Sequence, residues 1–438
     1  MSSKTALTMK SLLIATAAGG STRRHRLPAV LMRAGTSRGL FLHRRDMPQS
    51  ETDWGPVLVA AMGSRNNDPR QLEGVGGATS TTSKVVVVNP STRPGIDVDY
   101  TFVQVAVGAE VVDMTGNCGN MASGIAAFAL DEGLVTAKPG CTETTVRIYN
   151  TNTQVIIEET IQVDLATGLF REDGEYRISG VKSSGSLVKV KFVSPGGSMT
   201  GKTFPTGHRQ EIIRVSDGSL QFEVSATLID VSNPFVFVDA KTMPAAYHAQ
   251  DANAEEALAI IESIRRQASV MYGFAANTET AGLQRGTPKI SLLSPADDVA
   301  HSSASGLGAP AVADIRVLSY SMGKVHPSFQ LTGAVCLGAA TCLEGTVAAA
   351  VLAEKRTRLP PTPPGPISPN GSPAKDIALE VANKVLENVA SETGRKIVIQ
   401  HRSGTLDVEV DIADGGQDAA GVTVYRTAKR VFEGCIYV

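Results

Sequence analysis

Much of what marks large enzymes is missing from this chain of 438 residues. Its seven histidines are isolated, there is no His-Glu-x-x-His run, and no carboxylates cluster. The five cysteines, Cys118, Cys141, Cys336, Cys342 and Cys435, are widely scattered without paired metal-ligand spacing. The glycine-rich stretches fit neither the phosphate-loop nor the dinucleotide pattern. We therefore expect no metal, nucleotide or nicotinamide, and no cofactor at all. A formal net charge of -2, with no basic stretch interleaved with aromatics, argues against nucleic acid as a partner. The apolar part of the N-terminal region, Leu12 to Ala18, is too short to span a bilayer, so no membrane partner is expected. Odd, dispersed cysteines fit free thiols in a reducing, cytoplasmic setting.

What is present describes a globular chain, 42% hydrophobic and 19% charged, long enough for two cores. Residues 1–26 contain no acidic side chain and read as a disordered extension, with a mitochondrial transit peptide as the second reading. Residues 27–200 form a first expected domain, to which a C-terminal strand in 422–438 can return. Residues 201–421 form the second, carrying a proline-rich insert at 359–373 that excludes helix and central strand.

Strand texture dominates, in "AVLMRAGTSRGLFL", "KVVVVN", "DYTFVQVAV", "LQFEVSATLIDVSNPFVFVDA" and the C-terminal segments. A helix is expected over residues 121–131 and a long amphipathic one over 254–272; another is expected in "KDIALEVANKVLENVA". A second alanine-rich helix, "LTGAVCLGAATCLEGTV", resembles the first. Each helix is expected to begin at a Thr-Gly pair (Thr115-Gly116, Thr332-Gly333) and end at Glu-Gly (Glu132-Gly133, Glu344-Gly345), suggesting an internal duplication.

Three polar loops carry the candidate chemistry. In "MTGNCGNMASG", Cys118 stands at the small-residue mouth of a helix, where unpaired amides of Gly119, Asn120 and Met121 favour a thiolate and can hold a carboxylate. In "GVGGATSTTSKVVVV", the hydroxyls of Thr79 and Ser80 precede Lys84, whose place at the head of a β-branched run predicts partial desolvation and a basic, neutral form. In "MRAGTSRG", Thr36, Ser37 and Arg38 offer two hydroxyls and a guanidinium. Lys84 and Cys118 together form an acid/base pair that needs no cofactor, expected on opposite sides of one cleft. Arg285, Lys289 and His326 are further candidates to bind substrate from the second domain. Cys336, between Val335 and Leu337, reads as a core thiol.

These loops, with "SNPFVFVDA", "LTGAVCLGAA", "HRSGTLDVEV" and "VYRTAKRVFEG", resemble the PrpF-type proteins from about Leu27 to the C-terminus. Arg38 and Ala34 depart from the family's lysine and glycine. The resemblance implies an α+β, diaminopimelate-epimerase-like fold: two pseudo-symmetric domains, each a curled mixed sheet around a central helix, with the site between them. It also implies that Lys84 and Cys118 are the catalytic residues. The expected activity is a 1,3-proton shift that moves a C=C bond in a small unsaturated tricarboxylic acid, first cis-aconitate to trans-aconitate. Methylitaconate isomerisation and oxalomesaconate tautomerisation are the alternatives. Rival readings are an accessory protein of an iron-sulfur dehydratase and, if a second thiol faced the cleft, an amino-acid racemase. A small carboxylate is the expected partner, and a homodimer is compatible with the sequence.

Overall fold

The computed structural model describes residues 13–14, 25–218, 220–297, 300–301, 311–358 and 394–438. The proline-rich insert and the helix expected in "KDIALEVANKVLENVA" lie outside them, as does most of the N-terminal extension. Within that extension, Leu13–Ile14 pairs with Val111–Asp113, and the first long strand already begins at Arg26.

The first half consists of β1 (Arg26–Ala34), β2 (Ser37–His43), α1 (Trp54–Met62), β3 (Lys84–Pro90), β4 (Val98–Val105), α2 (Gly119–Ala122), α3 (Ile125–Asp131), β5 (Glu143–Asn150), β6 (Ile156–Gln162) and β7 (Val188–Val193). Next come β8 (Glu211–Asp217), β9 (Leu220–Val231), β10 (Asn233–Asp239), α4 (Glu255–Met271), β11 (Lys289–Pro295) and β12 (Ile315–Ser321). The chain continues through α5 (Leu331–Cys342), α6 (Val347–Arg358), β13 (Arg395–His401), β14 (Gly404–Ile412), β15 (Ala419–Arg426) and β16 (Ala428–Tyr437).

Strand pairing reveals a duplication. From β1 to β7 the neighbours β1/β2, β2/β3, β3/β4, β4/β5, β5/β6 and β6/β7 run antiparallel, parallel, antiparallel, parallel, antiparallel, antiparallel. The series β9/β10, β10/β11, β11/β12, β12/β13, β13/β14 and β14/β15 repeats that order. The two series join where β15 pairs with β7, while β16 returns to β1 in the first half, Leu27 opposite Ile436.

The inner strands of each sheet, β2 to β4 in the first half and β10 and β11 in the second, are buried on both faces along most of their length. Val86 and Val88 turn inward onto the core that holds α3 and α5, whereas Val85 and Val87 pack outward with Trp54 and Leu58 of α1. In the second half the outward side is covered by α4, through Ala257, Ile260, Ile261, Ile264 and Ala268. That spacing places the five on one helical stripe. The result is an α+β architecture of two like halves, each sheet curled around a buried helix.

Two expectations need correction. The helix expected over residues 121–131 is broken at Ser123 and Gly124. A Cβ on Gly124 would lie 2.9 Å from Phe41 Cζ, and the buried carboxylate of Glu159 accepts the Ala126 N–H at 2.9 Å, so a new helix starts there. The Thr-Gly pairs are not equivalent: Thr115-Gly116 precedes α2, whereas Thr332-Gly333 lies inside α5. The Glu-Gly pairs do match, since Glu132 and Glu344 each lie 14 residues beyond the N-cap of the inner helix, Cys118 or Gln330.

Candidate active site

Lys84 heads β3 because the preceding loop is wound around a buried amide. Gln71 donates to Ser64 and Ser83 hydroxyls and accepts the Ala78 N–H, and a Cβ on Gly76 would collide with its Oε1. Only glycine allows this approach. Thr79 stays within the loop, its hydroxyl bonded to those of Thr81 and Thr82. Gln104 donates to the Ser83 carbonyl, which turns its own oxygen to receive Lys84 Nζ at 2.7 Å. The ammonium also lies 5.1 Å from the Phe102 ring centroid.

Cys118 is itself the N-cap of α2, and its side chain makes no capping bond. Asn117, the residue a capping argument would favour, accepts the Tyr100 hydroxyl at 2.6 Å instead. A single turn carries little dipole, so whatever anion affinity this mouth has comes from the amides of Gly119, Asn120 and Met121, which have no intrahelical acceptors. The opposing helix meets it directly: a Cβ on Gly119 would lie 2.5 Å from Leu331 Cδ2 at the start of α5.

Both halves line one cavity of about 690 Å³, its open mouth included. Ser37, Ser80, Lys84, Cys118, Gly119 and Asn120 reach it from the first half, Lys289 and His326 from the second. Thus Lys84 and Cys118 share the cavity but belong to the same half. Thr36, Arg38, Thr79, Met121 and Arg285 do not line it. The Met121 side chain turns into the core, and Arg285 borders a separate cleft beside Glu262 and Arg265.

Sequence reasoning missed Asn117, Gln104, Asp113 and Gln330, which also face the cavity. Asn117 is buried and its Nδ2 has no partner among the described residues, leaving a donor for a bound polar group. Its place beside Cys118 was the available signal. Gln330 gave none, because only the duplicated pairing equates it with Cys118. The same pairing equates Lys84 with Lys289: each opens the parallel inner strand and approaches a phenylalanine ring, at 5.1 and 5.8 Å.

Electrostatically the cavity gathers two lysines, one carboxylate (Asp113), one thiol and a histidine. Burial pushes Lys289 down to about 8, the Lys84 charge adding to the effect while Cys118 and Asp113 oppose it. Burial, with both lysine charges, holds His326 at about 4, so it is neutral at pH 7. Its Nδ1 accepts the Ser328 N–H at 3.2 Å, which leaves the ring proton on Nε2 as a donor. Cys336 is fully buried in α5, and burial drives its thiol far above the usual range. No second thiol lines this cavity. Among the described residues, no group of three or more His, Cys, Asp and Glu could hold a metal, and no single helix is long and apolar enough to cross a membrane.

The duplicated α+β fold brings titratable groups of both halves to one cleft, and the relatives that the chain matches along most of its length place it among the isomerases. The chain belongs to the PrpF protein family, whose model matches residues 24–360. It is 32% identical to 3-methylitaconate isomerase of Eubacterium barkeri over 419 residues, 94% of this chain and 97% of the relative. It is 34% identical to 2-methyl-aconitate isomerase of Shewanella oneidensis (strain MR-1) over 336 residues, 74% and 83% of the two chains. The crystal structure of a methylitaconate-delta-isomerase superposes with a TM-score of 0.67 at 30% identity, covering 95% of this chain and 96% of that one.

Proposed function

We propose that the protein interconverts double-bond isomers of a small unsaturated di- or tricarboxylic acid, with cis-aconitate to trans-aconitate as the first candidate. The observation that carries this reading is the convergence of Lys84, Lys289 and Cys118 on one cavity that also holds neutral His326. Two cations in a partly enclosed space suit a polyanion, and the low-dielectric walls strengthen their pull on it.

In cis-aconitate, one group removes a proton from the methylene carbon and leaves an allylic anion delocalised toward the neighbouring carboxylate. A second group protonates the far end of the allyl system, so the double bond moves and no atom is gained or lost. Cys118 and Lys84 are the proposed proton carriers. Lys289, the free Nδ2 of Asn117 and the first-turn amides of α2 hold carboxylates and the developing negative charge. His326 donates from Nε2.

Proton NMR in deuterium oxide with cis-aconitate, trans-aconitate, methylitaconate and an oxalomesaconate tests the reading. Isomerisation of one acid, with deuterium entering at the newly protonated carbon, is the expected result. Absence of both isomerisation and exchange across the panel would overturn it.

A further inference from the structure

A second cavity, linked to the first through Asn120, is bordered by Thr36, Tyr176, His401, Asp407 and Arg426 among others. Arg426, at the end of β15, is only 5% exposed. Its Nε donates to Asn120 Oδ1 at 3.2 Å and its Nη1 to the Tyr425 carbonyl at 2.8 Å. Nη2 has no hydrogen-bond partner, and no carboxylate forms an ion pair with the guanidinium, among the described residues. Burying a cation this way is costly unless an anion joins it.

The other walls are rich in donors. His401 Nδ1 accepts the Ser403 N–H at 3.2 Å, so its proton sits on Nε2, and burial keeps the ring neutral down to about pH 4. Burial likewise holds the proton on Tyr176. Thr36 Oγ1 accepts from Asn120 Nδ2 at 3.1 Å, which leaves its own O–H to donate. The one acidic wall residue, Asp407, is engaged by Lys396 at 3.0 Å and does not neutralise Arg426. Consistently, burial lowers Arg426 to about 10, opposed only by the Tyr176 phenol.

We propose that this second cavity is a carboxylate-binding site centred on Arg426 and coupled to the catalytic mouth through Asn120. Asn120 borders the catalytic cavity two residues beyond Cys118, and both ends of its amide are tied to the second cavity, one to Arg426 and the other to Thr36. An anion on Arg426 therefore fixes the wall against which the substrate lies. The carboxylate is either the remote one of the substrate itself or that of a separate small acid. The choice of a carboxylate as ligand rests on the proposed function; the need for an anion does not.

The test uses the full-length protein and two saturated probes that cannot isomerise, propane-1,2,3-tricarboxylate and glutarate, followed by calorimetric titration and thermal unfolding. Arg426→Gln is expected to weaken binding of the tricarboxylate by roughly 10-fold or more, the worth of a charge-assisted hydrogen bond. Arg426→Lys should retain part of the affinity. Unliganded Arg426→Gln should melt no lower than the wild type, because it removes an unpaired buried charge.

Two bound equivalents in the wild type and one in Arg426→Gln identify a separate acid. One equivalent in each, with only the tricarboxylate weakened, identifies the substrate's remote carboxylate. Unchanged affinities for both probes would overturn the proposal, a lowered melting temperature marking Arg426 as a structural donor, as would failure of both probes to bind the wild type. Because neither probe turns over, a wrong substrate assignment leaves this result standing.

Discussion

The two halves share one pairing scheme yet differ at the mouth of the inner helix, where the proposed proton chemistry lies. Lys84 and Lys289 occupy the same place at the head of an inner strand, while the N-cap of the inner helix is Cys118 in one half and Gln330 in the other. A racemase must serve both faces of one carbon, which favours two like groups facing each other. An allylic shift serves two different carbons and has no use for that symmetry. The difference teaches that the duplication supplies the lysines in pairs, whereas the thiol at the mouth of the inner helix is particular to one side.

The strongest way to break this comparison is to remove the thiol. Cys118→Ser should slow turnover by roughly 10² to 10⁴-fold with substrate still bound, since an alcohol is a far weaker acid, and Cys118→Ala should do no better. Near-normal rates in the NMR assay for both would make Cys118 a packing residue. Cys336→Ala is the control from the other half, and its kcat should stay within a few-fold of wild type while stability falls by about 1 kcal/mol.

The lysine pair is probed next. Lys84→Met should depress kcat, whereas Lys289→Met should chiefly raise KM, as removal of a cation that binds ground and transition states alike would do. With Lys289 at about 8, the charged form that attracts a carboxylate is lost as pH rises through that value. The ratio kcat/KM should therefore fall above about pH 8, and Lys289→Arg should remove the fall.

At the junction of the halves, Gly119→Ala places a Cβ against Leu331 and should cost about 1–3 kcal/mol by overpacking, partly relieved in the double variant with Leu331→Ala. Chemical denaturation measures both. The pH-dependent effect concerns the buried histidines of the second half. His326 and His401 titrate near 4 in the folded protein against 6.5 when unfolded, so between those values the unfolded chain binds more protons. Stability should then fall as pH is lowered from 6.5 toward 4, by up to a few kcal/mol, and His401→Gln should flatten the slope.

Local patterns made part of this legible. The periodicity over residues 254–272 matched α4 to within a residue at each end, and the valine run of β3 announced a strand buried on both faces. Lys84 stands out at the head of a β-branched run and Cys118 among small residues, and both line the shared cavity. What escaped depended on distant partners. The Thr-Gly coincidence offered a false register, and only strand pairing revealed the equivalence of Lys84 with Lys289. Helix α1 has no matching expectation; Gly55 and Pro56 fall in its first turn, where proline is tolerated. Arg426 was hidden inside a strand, where a lone basic residue usually reaches solvent.

The pairing of β7 with β15 also constrains how the cleft can move. From Gly421 opposite Val193 to Arg426 opposite Val188, the seam between halves is a continuous antiparallel ladder. Pulling the halves apart would break its hydrogen bonds together, so the ladder resists their separation and holds Arg426, at its end, in register with the first half.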